Sequence, residues 1–468
     1  MPLKGLPRRW EILILFSAAV LVAWQLFVPP ALSVANDNDF SKLAGRFCIG
    51  PDPRVGNELF DYANVHWMIS KQGCILWSYR SSAELVVYAA LGLNRLFGHP
   101  PKFDLRWVGL VYALLFLGIF AWTQRLLRPL RPATNLAFQL AFLLTVCNAV
   151  YIPLFNTFYL DTIALVAMMG ALAGLAALLT GEARMGTFLV TVLMLALLGA
   201  SKSQHSLLAA ACLPALWLPR GRKIFPPIWA RAAGSTFVLL CAALAVLSTP
   251  PETAGQATFN TLFYRLLPSV SNPADYLAEA HIPTSYLAAI GTHSYSPGSL
   301  NASVESEIAF SRMFGLLDLV RLFSRHPGLA WHMLMIHLDE ASLDRVRMKT
   351  GTTEHRLANY ERTTGKPPQS LSHFFGLWPA VKHGLIANRP RLYLAYVFSV
   401  VAGAWLLRPR RPGVSWLLGI VTAMLALSFG VVMLDGLDSG RHLQMFNFLL
   451  DLLVCAMAAF GAERFSAA

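Results

Sequence analysis

The stretch WEILILFSAAVLVAWQLFV, residues 10–28, leads within a few residues to the polar tetrapeptide Asn36-Asp37-Asn38-Asp39. A helix of about 20 apolar residues crosses a hydrocarbon core of about 30 Å, so this stretch predicts a membrane span. Carboxylates are costly close to lipid, and two of them at the mouth of a span indicate a functional constraint.

The composition is that of a polytopic membrane protein. Of the 468 residues, 56% are hydrophobic and 13% are charged, against about 25% charged residues in soluble domains. The mean hydropathy is +0.51. Similar apolar runs recur along the chain and predict an all-α fold with about ten transmembrane helices, at 10–28, 105–123, 136–152, 160–179, 187–200, 206–218, 232–247, 392–407, 414–434 and 446–460.

Two apolar runs have a second interpretation. The run 85–97 is short and contains Asn94 and Arg95, which favours an interfacial helix over an additional span. The first run, followed by Ser33-Val34-Ala35, also resembles a signal peptide with a small-residue cleavage site, although its length favours a retained anchor.

The distribution of Lys and Arg predicts the orientation of the spans. Alternate connections carry clusters of basic residues, the pattern of cytoplasmic loops, and these are Arg8, Arg9, Arg125, Arg128, Arg131, Arg184, Arg220, Arg222, Lys223, Arg231, Arg408, Arg410, Arg411 and Arg464. Both termini are therefore predicted to be cytoplasmic. The net charge of +13 resides mainly in these short clusters. No basic stripe with interleaved aromatic residues is present, so nucleic acid is not an expected partner.

This topology divides the chain into three parts. Residues 1–247 form a membrane domain whose first external loop is 29–80, residues 248–391 form a mixed or helical extracytoplasmic segment, and residues 392–468 form the last spans. Cys48 and Cys74 share the first external loop and could form a disulfide there. The cytoplasmic connections are short and basic, so an active site is expected on the external face.

The acidic candidates lie at the predicted external ends of spans. Asp37 and Asp39 can project toward a common ligand or a divalent cation, or they can simply form a solvated turn, which Asn and Asp favour. Asp161 ends the short turn between the third and fourth spans, where it can cap a helix, act in the site, or do both.

The cationic candidates lie on the same predicted face. Lys202 is the lone cation of the turn between the fifth and sixth spans, and it can either meet lipid headgroups or neutralise a phosphate. Arg441, beside His442, lies near the start of the last apolar run. Arg441 needs either a carboxylate partner such as Asp435 or a bound anion.

Acids and cations at one set of helix ends suit transfer of a group from a phosphate carrier in the bilayer. A carboxylate can deprotonate an acceptor hydroxyl, and cations can stabilise a departing phosphate. The sequence contains no GxSxG elbow, no HExxH motif and no Gly-rich phosphate loop. The competing interpretations are a lipid or glycan transporter or flippase without transferase chemistry, and a non-catalytic envelope scaffold.

In these segments the chain resembles the GT-C superfamily of multi-pass glycosyltransferases, in particular bacterial hexose transferases of glycan biosynthesis in the cell envelope. The resemblance is carried by four short segments, residues 37–40, 155–161, 201–205 and 435–442. It implies a polyprenyl-phosphate or polyprenyl-diphosphate sugar donor in a bacterial inner membrane and a glycan, lipid or protein acceptor outside the cytoplasm.

The same resemblance implies roles for individual residues. Asp39, with Asp37 beside it, matches the acid that acts as base or positions the acceptor, and Asp161 matches a second acid. Lys202 and Arg441, with His442, are expected to bind the donor phosphate. Further substrate contacts are predicted for residues of the same segments, Tyr159, Gln204 and His205. No cofactor is required, although Asp37 and Asp39 could hold a divalent metal cation.

Overall fold

The computed structural model describes residues 6–54, 59–75, 79–180, 184–218, 226–343, 347–350, 353–437 and 439–466. The helices in these ranges are α1 Arg8–Phe27, α2 Phe40–Ala44, α3 Ala83–Phe97, α4 Arg106–Leu127, α5 Pro132–Thr145, α6 Asp161–Thr180, α7 Met185–Gly199, α8 Ser203–Cys212, α9 Pro214–Trp217, α10 Ile228–Leu247, α11 Glu252–Phe259, α12 Pro273–Glu279, α13 Val304–Met313, α14 Leu316–Arg325, α15 Pro327–Ser342, α16 Leu377–Ile386, α17 Pro390–Leu407, α18 Pro412–Val432, α19 Ser439–His442 and α20 Gln444–Phe465.

The strands are few and short. An antiparallel sheet has the order β1-β2-β3, with β1 Ile49–Pro51, β2 His66–Ile69 and β3 Lys102–Asp104. A separate hairpin pairs β4 Arg347–Thr350 with β5 Thr353–Arg356. The chain is therefore mostly helical, as the composition predicts.

Seven helices of the described chain are long and apolar enough to cross a membrane, namely α1, α4, α6, α10, α17, α18 and the continuous helix Gly440–Phe465. The other three predicted spans correspond to shorter helices: α5 has 14 residues, α7 has 15, and α8 is followed by a new helix at Pro214. At about 1.5 Å per residue, α5 and α7 are shorter than a hydrocarbon core. The all-α polytopic membrane fold is confirmed, whereas the count of ten spans stays a prediction.

The centre of the bundle is α6. Its sequence is apolar all round, and nearly all of its side chains are buried, as expected for a helix enclosed by other helices. It packs against α4, α7 and α18. Because α6 begins at Asp161, the most enclosed helix of the bundle presents a carboxylate at one end.

The first apolar run is an integral part of this bundle. Helix α1 buries Ile14, Ala18 and Val22 in the main core, and the carboxylate of Glu11 lies 2.7 Å from Nη2 of Arg128. Retention of this run as a membrane anchor stays a prediction.

The first predicted external loop is held together by covalent and backbone contacts. Cys48 and Cys74 are disulfide-bonded, as the shared loop had suggested. The backbone of the loop is also tied to a later part of the chain. The N–H of Ala35 donates to the carbonyl of Ala358 at 2.8 Å, and the N–H of Ala63 donates to the carbonyl of Tyr360 at 2.9 Å. The tetrapeptide 36–39 therefore follows a residue, Ala35, whose backbone is held in place by a hydrogen bond.

The predicted segment 248–391 is mainly helical and builds a second apolar core. That core contains Phe259, Phe263, Phe310 and Met333. The later part of the segment behaves differently, since residues such as Ile386 pack into the main core. Helices of this segment thus cover the end of the bundle at which Asp161 lies.

Candidate active site

A cavity of about 690 Å³ opens at that end of the bundle, within the usual size range of ligand sites. Its lining brings together residues that are far apart in the sequence and includes seven of the predicted site residues, Asp37, Asp39, Asp161, Lys202, Gln204, Arg441 and His442. Tyr159 and His205 do not line it and lie behind its wall.

The tetrapeptide 36–39 is both a turn and part of the cavity. The side-chain oxygen of Asn36 accepts from the N–H of Asn38 at 2.8 Å, and that of Asp37 accepts from the N–H of Asp39 at 3.1 Å. Such local bonds are why Asn and Asp favour turns. The turn gives the two acids different surroundings, since the side chain of Asp37 is 2% exposed and that of Asp39 is 24% exposed. Asp39 is the acid that a ligand can reach.

Arg441 lies between the acids. Its Nη2 is 2.5 Å from Oδ2 of Asp39, its Nε is 3.5 Å from Oδ2 of Asp37, and its Nη1 is 3.7 Å from Oδ2 of Asp161. The planar guanidinium offers five N–H groups in a fixed fork, which suits contact with several oxygens at once. One nearly buried cation thus joins three carboxylates.

Two residues predicted to contact substrate instead support the acids and Arg441. The ring of Tyr159 lies 4.5 Å below the guanidinium carbon of Arg441, and its hydroxyl donates to the carbonyl of Ala35 at 2.7 Å. His205 places Nε2 at 3.6 Å from Oδ1 of Asp161. Both side chains are positioned to orient charged neighbours, and direct contact of either one with a substrate stays a prediction.

Lys202 connects Asp161 to His442. Its Nζ lies 3.4 Å from Oδ1 of Asp161 and donates to Nε2 of His442 at 2.9 Å. An ammonium can only donate, so Nε2 must accept and the proton of a neutral imidazole must sit on Nδ1. That nitrogen lies 2.8 Å from Oδ2 of Asp435. Burial would raise the pKa of Asp435, but His442 and Lys202 hold the pKa below its ordinary value.

The structure adds Lys42, which the sequence analysis missed. Its Nζ is 2.5 Å from Oδ1 of Asp39, so Asp39 has a cation on each oxygen. Burial would raise the pKa of Asp39, but Lys42 and Arg441 outweigh this effect and hold that pKa well below its usual range. The available signal was the i, i+3 spacing of opposite charges at a helix start, where Asp39 precedes α2.

The opposite wall comes from the segment 248–391, and its individual residues were not predicted. The hydroxyl of Tyr295 donates to Oε1 of Gln256 at 3.2 Å, and Nε2 of Gln256 donates to Glu307 at 2.7 Å. Asn260 also lines the cavity and accepts from the N–H of Ser294 at 2.8 Å. Burial raises the pKa of Tyr295 to about 12, so its phenol stays protonated at neutral pH.

The acid pair does not fit a divalent metal site. The guanidinium of Arg441 already occupies the space between Asp37 and Asp39. Within the described residues, no group of three or more His, Cys, Asp or Glu side chains is close enough to hold a metal ion.

The fold and composition define an integral multi-pass membrane protein. The family model for the YfdI N-terminal transmembrane domain matches residues 4–466, and the chain belongs to this family. No curated protein and no solved structure matches the chain.

Proposed function

We propose that the protein is a GT-C-type membrane glycosyltransferase that moves a sugar from a polyprenyl-phosphate or polyprenyl-diphosphate donor to an extracytoplasmic glycan, lipid or protein acceptor. One observation carries this proposal: a reachable acid, Asp39, is paired with Arg441 and lies in the same cavity as a second cation, Lys202. A base for an acceptor and a site for a leaving phosphate are thereby adjacent.

The proposed reaction is a single inverting displacement. The acceptor oxygen attacks the anomeric carbon, and the bond from that carbon to the phosphate oxygen breaks with its electron pair. The acceptor proton passes to the carboxylate of Asp39 as the new bond forms. Arg441 and Lys202 compensate the charge that grows on the departing phosphate, because fixed donors stabilise charge best where it develops.

The contacts of Arg441 suggest how donor binding prepares the base. In the structure Arg441 is engaged by Asp39, Asp37 and Asp161. A donor phosphate competes with Asp39 for the same N–H groups, so its arrival frees one oxygen of Asp39. Lys42 remains on the other oxygen and keeps the carboxylate ionised and oriented. The acceptor then meets the base only after the donor is in place.

A direct assay tests the proposal. The full chain in lipid nanodiscs is incubated with a panel of short-chain prenyl-phosphate hexoses and a mixture of glycan acceptors, and the release of prenyl phosphate is followed by mass spectrometry. We expect acceptor-dependent release for at least one hexose. Translocation of an intact donor across a vesicle membrane, without any release, would instead establish the transporter alternative.

The pH dependence provides a second test. Replacing Lys42 with Met removes a cation that lowers the pKa of Asp39, so the pKa of Asp39 rises. A base must be ionised to act. As the pH is lowered, the variant therefore loses activity at a higher pH than the unsubstituted protein does. We expect the acidic limb of the pH–rate profile to move upward in Lys42→Met and to stay in place in Lys71→Met, a change on an exposed turn of the same loop. An unmoved limb in Lys42→Met would contradict the role of this pair.

A further inference from the structure

Helix α16 has an inverted distribution of polar and apolar side chains. Phe374, just before the helix, and Leu377, Val381 and Leu385 are spaced three or four residues apart and are 44–68% exposed. This spacing places them on one face, which we call the outer stripe. Lys382 is instead almost completely buried on the opposite side.

The buried face is bound to a membrane helix. Nζ of Lys382 lies 3.2 Å from Oδ1 of Asp451, and Nε1 of Trp378 donates to the same oxygen at 2.9 Å. The hydroxyl of Tyr151 donates to the other oxygen at 2.8 Å. Asp451 is fully buried in α20, and an ion pair in such surroundings needs this number of hydrogen bonds to offset desolvation.

The position of Asp451 fixes the depth of α16. The candidate span begins at Gly440, and at about 1.5 Å per residue Asp451 lies roughly 16 Å along it. A Lys or Trp side chain is much shorter than that distance, so α16 packs beside the span and not above its end. Helix α16 also contacts α17, a candidate span that exposes Leu392 and Phe398.

We propose that α16 lies in the bilayer leaflet at the cavity end of the bundle, with its outer stripe against lipid acyl chains. Four large apolar side chains are unfavourable in water and favourable against lipid acyl chains. The proposal takes residues 377–386 out of the segment that the sequence assigns to the extracytoplasmic space. It does not depend on the proposed catalytic function.

Spin labels on the full chain in nanodiscs test this placement. Leu377→Cys, Val381→Cys and Leu385→Cys are made in a Cys241→Ala background, since the remaining free cysteines are buried. Phe398→Cys on α17 is the reference for lipid, and Arg321→Cys on α14 is the reference for water. We expect all three labels to match Phe398→Cys, with collision rates for oxygen several-fold above those for a water-soluble nickel chelate.

Two results would overturn the proposal. Nickel accessibility equal to that of Arg321→Cys would place the stripe in water, and dipolar broadening between labels would show that a second copy covers it. A measurement on the unsubstituted chain guards against misfolded variants. Photoactivatable lipids with diazirine groups in their acyl chains are expected to label residues 374–386 as strongly as α17, and the absence of labelling there would also overturn the proposal.

Discussion

Replacing Asp39 with Asn is expected to reduce the rate of sugar transfer by about 10²–10⁴, the usual contribution of a general base. Asn has nearly the same shape but cannot accept the acceptor proton at neutral pH. The side chain of Asp39 is partly exposed and is not part of the buried core, so the variant should still fold. The measurement is the initial rate of prenyl phosphate release by the full chain in nanodiscs.

Asp52→Asn is the matched control for this prediction. Asp52 belongs to the same predicted loop and also contacts an arginine, with Oδ2 at 2.5 Å from Nη2 of Arg54, but it does not line the cavity. We expect its rate to stay within a few-fold of the unsubstituted protein. Asp37→Asn should reduce the transfer rate less than Asp39→Asn does, because Asp37 is enclosed and a ligand cannot reach it. Full activity in Asp39→Asn would remove this residue from the proposed mechanism.

Replacing Arg441 with Gln is expected to damage both stability and activity. Removing one partner of a buried charge cluster leaves the others uncompensated, which typically costs about 3–5 kcal/mol. Loss of a donor to the developing phosphate charge adds a rate reduction of about 10²–10³. Thermal unfolding of the full chain and the transfer rate in nanodiscs measure the two effects separately.

A double variant separates the structural effect of Arg441 from its chemical effect. Adding Asp37→Asn to Arg441→Gln removes one of the three carboxylates that Arg441 contacts, so the unfolding temperature should partly recover. The transfer rate should not recover, because the phosphate still lacks its guanidinium. Recovery of both would mean that Arg441 acts only in folding.

Arg128→Gln is the matched control for Arg441→Gln. It breaks the pair with Glu11 outside the cavity and is expected to leave the transfer rate unchanged.

The convergence of Asp39, Asp161, Lys202 and Arg441 could be predicted because each adjoins the end of an apolar run. The end of a membrane span can lie on only two sides of the membrane, and the basic loops predict which side these four residues share. Lys42, Gln256 and Tyr295 lie on irregular or short elements, where no periodicity indicates which neighbours they meet. Tyr159 and His205 are adjacent in sequence to functional candidates, but their side chains turn inward. The lengths of α5 and α7 likewise depend on where local packing ends each helix.

The three contacts of Arg441 also have a mechanical consequence. The acids that it joins belong to the first loop and to the central helix, while Arg441 itself lies at the start of the last candidate span. An anion that takes over its N–H groups therefore weakens the attachment of all three parts to one another. Donor binding is therefore expected to give the first loop more freedom than it has while Arg441 holds Asp37 and Asp39. The same freedom would let the loop move toward an arriving acceptor.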